Sequence, residues 1–193
     1  MAGLCSGAGT MLAVFMGKVL KKKTAVAGDE VTYSLMLRQM QKAAAIQHKG
    51  IASRHAYSMD GIDYYCGIRD EDIGILRQKY DVIILDISFE NTFDNTNVTF
   101  ARMVSRLSAC DEKILAGSML PWKSRECEKK MERIERFLDI RGLKMVTLAA
   151  CDKEAVSIIK KHGVEVVLIP FERNPFVISG ENLRSFLELL KIT

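Results

Sequence analysis

Apolar residues occur along the chain in short blocks, and stretches with helical spacing separate these blocks. The clearest block is Val82–Leu85, an aliphatic run between Asp81 and Asp86. An uninterrupted aliphatic run of this kind is typical of a parallel strand that is covered on both faces. It is the strongest strand signal in the chain.

Similar blocks predict strands at Met1–Leu4, Thr24–Ala27, Ile62–Tyr65 (as an edge strand, from its aromatic residues), Lys113–Ala116, Lys144–Ala149 and Val166–Ile169. Helices are predicted at Met11–Lys21, Val31–Gln47, from Asp70, around Phe100–Leu107, after a capping Ser124, at Asp152–His162 and after a capping Ser179. Ile51–Ser58 has no clear periodicity and is predicted to be a loop. Strands that alternate with helices predict an α/β fold with a three-layer, mostly parallel sheet wrapped by helices on both faces. Residues 1–193 are expected to form a single domain.

Composition and charge narrow the function classes only slightly. The 193 residues are 48% apolar and 27% charged, which is ordinary for a globular protein. A net charge of +4, spread along the chain, gives no argument for a nucleic-acid partner. Five separated cysteines with no C-x-x-C pair indicate a reducing compartment, and the apolar run Met11–Leu20 is too short to span a membrane. We therefore expect a cytoplasmic protein without a transmembrane segment.

The stretch Cys5–Met11 has two glycines between a predicted strand and a predicted helix. Free backbone N–H groups at such a junction form an anion site, because the positive end of the helix dipole lies there too. Gly7 and Gly9 match part of a dinucleotide fingerprint, and Glu30 follows Gly9 by roughly 20 residues, where a ribose-binding acid belongs. A dinucleotide-dependent oxidoreductase is therefore one alternative. A cysteine phosphatase loop is excluded because Met11 stands where its arginine would be.

A phosphate-binding NTPase loop is the other alternative for this stretch. The chain resembles the MinD/ParA-like P-loop ATPases, and within them the CpaE/TadZ-type proteins that localise pilus-assembly machinery. The segments that carry this resemblance, in order along nearly the whole chain, are Gly3–Thr10, Lys23–Ala27, Gly61–Tyr65, Tyr80–Asp86, Lys113–Ser118 with Pro121–Lys123, and Ile169–Phe176.

The resemblance implies roles for individual residues. ATP or ADP with Mg²⁺ would be the cofactor, and Asp86 would hold the magnesium shell. Asp29 would lie near the aspartate that orients the attacking water, so Asp29 and Asp86 are the candidate catalytic residues. Candidate nucleotide contacts are the glycine segment, with Ser6, Gly7, Ala8, Gly9, Thr10 and Met11, and the loop beside the base, with Pro170, Phe171 and Phe176.

Four departures from the family pattern occur in this one site. Cys5 replaces the signature lysine, Thr10 and Met11 replace the Walker lysine and hydroxyl, and Phe89 stands near where a glycine usually follows the acidic strand. Phosphoryl transfer depends on positioned charge and metal. The sequence therefore predicts a localisation or scaffolding protein, at most a weak ATPase, that binds protein partners such as pilus or secretion machinery and forms a homodimer. A functional ATP-binding switch is the alternative within the same family.

Overall fold

The computed structural model describes residues 3–28, 44–45, 55–87, 97–117, 121–139, 143–148, 156–157, 160, 162–170 and 172–192. The chain divides into two compact units, which we describe separately. Unit 1 comprises Met1–Asp94 with Asn174–Ile178, and unit 2 comprises Asn95–Arg173 with Ser179–Thr193. The single domain expected from the sequence stays a prediction.

Unit 1 contains a five-stranded sheet with the order β2-β3-β4-β1-β5. Its strands are β1 (Thr24–Gly28), β2 (Ala44–Ala45), β3 (His55–Met59), β4 (Ile62–Cys66) and β5 (Val82–Asp86). The strands β4, β1 and β5 are parallel, whereas β2, β3 and β4 pair in antiparallel fashion. The helices among the described residues of unit 1 are α1 (Gly3–Val14), which continues as a π-helical turn over Phe15–Val19, and α2 (Asp70–Lys79).

The antiparallel hairpin corrects three predictions. His55–Ser58 lies in β3 and is not a loop, and Ala44–Ala45 is a strand inside a segment predicted to be helical. Because β3 pairs with β4, Ile62–Tyr65 is an interior strand and not an edge strand. Both Tyr64 and Tyr65 are buried, one on each face, which explains why this strand is rich in aromatic residues.

Unit 2 contains a three-stranded parallel sheet with the order β6-β7-β8. Its strands are β6 (Ile114–Gly117), β7 (Lys144–Leu148) and β8 (Glu165–Ile169), close to the predicted bounds. Its helices are α3 (Asn97–Ser108), α4 (Pro121–Glu135) and α5 (Gly180–Leu190). The predicted cap of the last helix is confirmed, since the hydroxyl of Ser179 accepts a hydrogen bond from the N–H of Asn182 at 3.2 Å. Ser124 lies inside α4, so the cap predicted there is wrong.

Among the described residues of unit 1, an apolar cluster lies on each face of the sheet. Ala13 and Val14 of α1 pack with Val26, Ile62 and Tyr64 on one face. The other cluster joins the sheet to α2 and consists of Ala25, Ala27, Tyr65, Ile68, Leu76 and Tyr80. Helices on both faces confirm the predicted α/β class. Among the described helices, none is long and apolar enough to cross a membrane.

Candidate functional site

The carboxyl ends of three parallel strands lie side by side in unit 1. Gly28, the last residue of β1, is in register with Cys66 of β4 and with Asp86 of β5. The N–H of Gly67 donates to the carbonyl of Gly28 at 2.9 Å, so the backbone after β4 stays close to this edge. Ligands of open α/β sheets bind outside such carboxyl ends. The predicted nucleotide site is therefore expected at this edge of the sheet.

Helix α1 runs antiparallel to these strands and brings two predicted site residues together. A Cβ built on Gly17 would lie 3.0 Å from Ile62 and 3.8 Å from Thr24, at the amino ends of β4 and β1. A Cβ built on Gly9 would lie 4.0 Å from both Cγ and Oδ2 of Asp86, at the carboxyl end of β5. The N-terminal part of α1 therefore extends past the carboxyl edge of the sheet, with Asp86 beside Gly9.

The glycine segment itself is helical, which corrects the sequence prediction. Helix α1 begins at Gly3, so the strand and the glycine loop predicted before Met11 are wrong for the described residues. In an α-helix the N–H groups beyond the first turn donate to carbonyls four residues back. The amides of Gly7–Met11 are therefore used within the helix. In this conformation the segment does not fit a phosphate cradle, and the nucleotide contacts expected from Ser6 onward stay predictions.

Side chains of this segment also point into the core. Ala8 is buried, Thr10 is 1% exposed and Met11 is 3% exposed. Thr10 and Met11 occupy the positions that align with the Walker lysine and hydroxyl. A lysine at a position as buried as Thr10 would remove an ammonium group from water. The two replacements thus suit the packing of α1 on the sheet.

The remaining predicted residues are distributed differently. Asp29 and Phe171 lie outside the described residues. Pro170 follows β8 in unit 2 and is half-buried, whereas Phe176 packs against the α1-side core of unit 1. The N–H of Phe176 donates to the Asn174 side-chain carbonyl at 3.1 Å, which forms a tight turn. No group of three or more His, Cys, Asp or Glu residues in the described ranges could hold a metal ion, and the metal role of Asp86 stays a prediction.

A hydrogen-bonded tyrosine pair in unit 1 was missed in the sequence. The hydroxyls of Tyr65 and Tyr80 lie 2.6 Å apart, and Tyr80 donates to the Asp63 carboxylate at 2.5 Å. Burial, and then the hydrogen bond to Asp63, raise the pKa of Tyr80. Burial also raises the pKa of Tyr65, against the opposing effect of the hydrogen bond to Tyr80. The available signal was that Asp63 and Tyr65 are two residues apart in a predicted strand and therefore lie on the same face.

A second buried tyrosine, Tyr64, faces the opposite side of the same sheet and packs with Ala13 and Val14. Burial is the main cause that raises its pKa, and the negative charge of Asp60 adds to it. All three tyrosines are therefore neutral at physiological pH and contribute hydroxyl groups, not anions.

Three solved structures are similar to this chain along nearly its whole length. The MinD cell division protein of Aquifex aeolicus superposes with a TM-score of 0.64 at 12% identity, covering 100% of this chain and 93% of that one. A chain of the MinC:MinD cell division protein complex of the same organism gives 0.64 at 14% identity, with 100% and 91% covered. A plasmid partition protein from Borrelia burgdorferi gives 0.59 at 12% identity, with 97% and 90% covered.

The chain has the MinD-like fold. This confirms the fold of the predicted MinD/ParA-like P-loop class. Sequence identities of 12–14% show a shared fold and nothing more. The sequence matches no protein-family model and no curated protein.

Proposed function

We propose that this protein is a partner-binding or localisation module built on the MinD-like fold, in which nucleotide binding is weak and hydrolysis is lost or very slow. The observation that carries the proposal is the helical glycine segment, with Thr10 and Met11 in the core where a working site would hold its lysine and its metal-binding hydroxyl. The retained fold and the altered site together favour binding over catalysis.

The charge of the segment supports the same proposal. Residues 1–17 contain no charged side chain, so the first cation is Lys18. The Lys18 ammonium pairs with Asp60 at 2.6 Å, near the amino end of the sheet and away from Asp86. Stabilisation of a transferring phosphoryl group needs cations and metal at the site itself. Nothing within α1 supplies that charge.

The partner remains to be identified by chemistry. MinD, which shares the fold, is found in a complex with MinC. A protein with this fold therefore binds another protein. The homodimer, and the pilus or secretion machinery implied by the CpaE/TadZ resemblance, are predictions for this chain.

A panel of nucleotides tests the proposal directly. ATP with Mg²⁺, ADP, GTP, NAD and NADP are each added to the full chain, and the melting temperature and binding heat are measured. A ligand present at 100 times its Kd stabilises a protein by about 2.7 kcal/mol, which corresponds to roughly 5–10 °C in a chain of this size. We expect no shift of that size with any of the five at about millimolar concentration, where a Kd near 1 mM already means weak binding.

Asp86→Asn is the informative variant, and Asp111→Asn, at an exposed aspartate of unit 2, is its matched control. ATP turnover that Asp86→Asn abolishes and Asp111→Asn preserves would show the proposal to be wrong. The proximity of Asp86 to Gly9 favours an ATP-binding switch as the second candidate, since an acid is retained beside the glycine segment. A shift with NAD or NADP alone would instead support the oxidoreductase.

A further inference from the structure

The segment Asn174–Ile178 connects two elements of unit 2 but belongs to unit 1 by its contacts. It follows the strand β8 and precedes the helix α5, which are both elements of unit 2. Two of its side chains, Phe176 and Ile178, pack against the apolar cluster on the α1 side of the sheet in unit 1. This strap, residues 174–178, is therefore held on one unit while both of its ends continue into the other.

A tight turn gives the strap its shape. The N–H of Phe176 donates to the side-chain carbonyl of Asn174 at 3.1 Å, and the N–H of Val177 donates to the main-chain carbonyl of Asn174, also at 3.1 Å. Asn stabilises turns through such local hydrogen bonds. After the turn, Phe176 and Ile178 pack on the cluster, whereas Val177 between them is 51% exposed. The strap thus has two apolar anchors.

The second anchor directly precedes the cap of α5. The hydroxyl of Ser179 accepts from the N–H of Asn182 at 3.2 Å, and the carbonyl of Ser179 accepts from the N–H of Leu183 at 2.9 Å. An apolar residue before the cap fixes the angle at which the chain enters a helix. Here that residue is Ile178, which packs on the cluster of unit 1. Docking of the strap therefore holds the chain where the first turn of α5 forms.

Helix α1 contributes to the cluster on which the strap docks. Val14 is a buried member of that cluster, and the same helix carries Gly9 beside Asp86. Close-packed interiors transmit displacements from one side chain to the next. Both anchors of the strap are only half-buried. Segments with few buried apolar contacts open at a lower free energy than the whole protein. The strap is therefore suited to release while the rest of unit 1 stays folded.

We propose that the strap is a conformational coupling element between α1 and α5. When α1 packs normally on the sheet, the strap docks and stabilises the first turn of α5 through Ile178 and Ser179. A displacement of α1 removes the surface for the anchors, and the first turn of α5 frays. Because coupling between two sites is reciprocal, fraying of α5 also loosens the cluster around α1. This inference goes beyond the proposed function, since it holds whichever ligand or partner the protein binds.

Amide hydrogen exchange of the full chain tests the strap itself. The readout is the exchange rate at Asn182 and Leu183, and the amide of Leu189, later in α5, is the internal reference. Ile178→Ala should speed exchange at the first two amides by about tenfold and leave the reference unchanged. Val177→Ala, which trims the exposed neighbour, is the matched control and should change these rates less than about twofold. Equal acceleration in the two variants would overturn the proposal, because docking would then have no part in it.

Coupling to α1 is tested from the far side of the cluster. Val14 is 2% exposed in the α1-side cluster, and Leu76 is 0% exposed in the cluster on the opposite face. Val14→Ala and Leu76→Ala both leave a cavity, and both lower the global stability. Exchange at Asn182 and Leu183 should accelerate in Val14→Ala and stay unchanged in Leu76→Ala. Acceleration in both would mean that these amides exchange through global unfolding, and the proposal would be wrong.

A milder variant keeps the test decisive if Ile178→Ala fails to fold. Asn174→Ala removes only the side-chain acceptor of the turn and leaves both anchors in place. It should also speed exchange in the first turn of α5. Unchanged exchange there would be a contrary result.

Discussion

The hydroxyl oxygens of Tyr65 and Tyr80 lie 2.6 Å apart inside unit 1, and their rings meet edge to face with centroids 6.1 Å apart. The Tyr80 hydroxyl donates its hydrogen bond to the Asp63 carboxylate, so the Tyr65 hydroxyl is the donor in the tyrosine pair. The ammonium of Lys23 lies 5.2 Å from the Tyr80 ring centroid, which adds a cation–π contact. This polar chain ties the strand β4 to the residue that leads into β5, in the middle of an apolar cluster.

Removal of the central hydroxyl should therefore destabilise the protein. Tyr80→Phe breaks the hydrogen bonds of its hydroxyl to Tyr65 and to Asp63. A hydrogen bond to a charged group is worth about 1.5–3 kcal/mol and a neutral one about 0.5–1.5 kcal/mol, so we expect the free energy of unfolding to fall by about 1–3 kcal/mol. Urea unfolding followed by circular dichroism measures it. Tyr65→Phe removes the hydrogen bond to Tyr80 but keeps the one from Tyr80 to Asp63, so it should cost less. A larger loss in Tyr65→Phe than in Tyr80→Phe would contradict the central role of Tyr80.

Alkaline pH should weaken the same cluster. Burial raises the pKa of both Tyr65 and Tyr80 in the folded protein above the ordinary value of 10.0. A folded state that holds its protons more tightly than the unfolded chain loses stability as the pH rises above the unfolded pKa. The unfolding free energy should therefore be insensitive to these groups below about pH 10 and fall above it. The fall should be shallower in Tyr80→Phe, and equal slopes in the two proteins would count against this origin.

Two side chains in unit 2 lie very close to Gly117, and this packing predicts a different kind of loss. A Cβ on Gly117 would stand 2.5 Å from Cε of Met145 and 2.9 Å from Sγ of Cys127. Met145 is fully buried, so its methyl group cannot move without disturbing the core, and Gly117→Ala should cost about 1–3 kcal/mol. Denaturant midpoints measure the effect. In a Met145→Ala background the same substitution should cost less, because the clashing atom is gone.

Gly74 is the matched control for Gly117. It lies in α2 with nothing within 4 Å of its Cβ position. Gly74→Ala should stabilise the protein by up to about 1 kcal/mol through helix propensity alone. A loss at Gly74 as large as that at Gly117 would mean that the effect is not one of packing.

Helix and loop conformations of the glycine segment predict opposite effects of alanine. Gly9 lies inside α1, and its Cβ would make only ordinary contacts with Asp86. Gly9→Ala should therefore stabilise the protein by about 0.5–1 kcal/mol. Gly61→Ala, at a φ of +79°, should destabilise it and provides the contrast. Thermal unfolding of both variants checks the pair, and a destabilised Gly9→Ala would favour the loop.

Local sequence patterns identified most strands because each strand is a contiguous apolar block. The block Val82–Leu85 and the blocks of unit 2 became strands close to their predicted bounds. The strand β3 could not be recognised in this way, because Ala56–Met59 is only half-buried and the pairing of β3 with β4 is set by a tight turn at Asp60 and Gly61. Polar residues are tolerated in a strand that is only partly buried, so β3 shows no alternation of apolar and polar residues.

The candidate site was predicted less well, and for a physical reason. The family resemblance placed Gly9 and Asp86 in one site, and the structure has them side by side, while their roles in binding a nucleotide stay predictions. The sequence could not predict that the glycine segment is helical, since Gly7 and Gly9 within Cys5–Met11 argue against a helix on propensity alone. The buried side chains of Thr10, Met11 and Ala13 supply packing that outweighs this propensity.

The burial of Thr10 gives the sharpest test of the altered site. If residues 5–11 formed an open phosphate loop, Thr10→Lys would restore the missing cation and be tolerated, because the ammonium would face solvent or phosphate. In α1 the side chain is 1% exposed, so the lysine must either bury its charge or displace the helix. We therefore expect Thr10→Lys to lower the unfolding free energy by about 3 kcal/mol or more, the range found for uncompensated buried charges. Thr10→Ser, which keeps the hydroxyl, should cost less than half as much. Urea unfolding of both variants, with and without ATP and Mg²⁺, separates the two conformations, since a stable Thr10→Lys protein that gains ATP binding requires the loop.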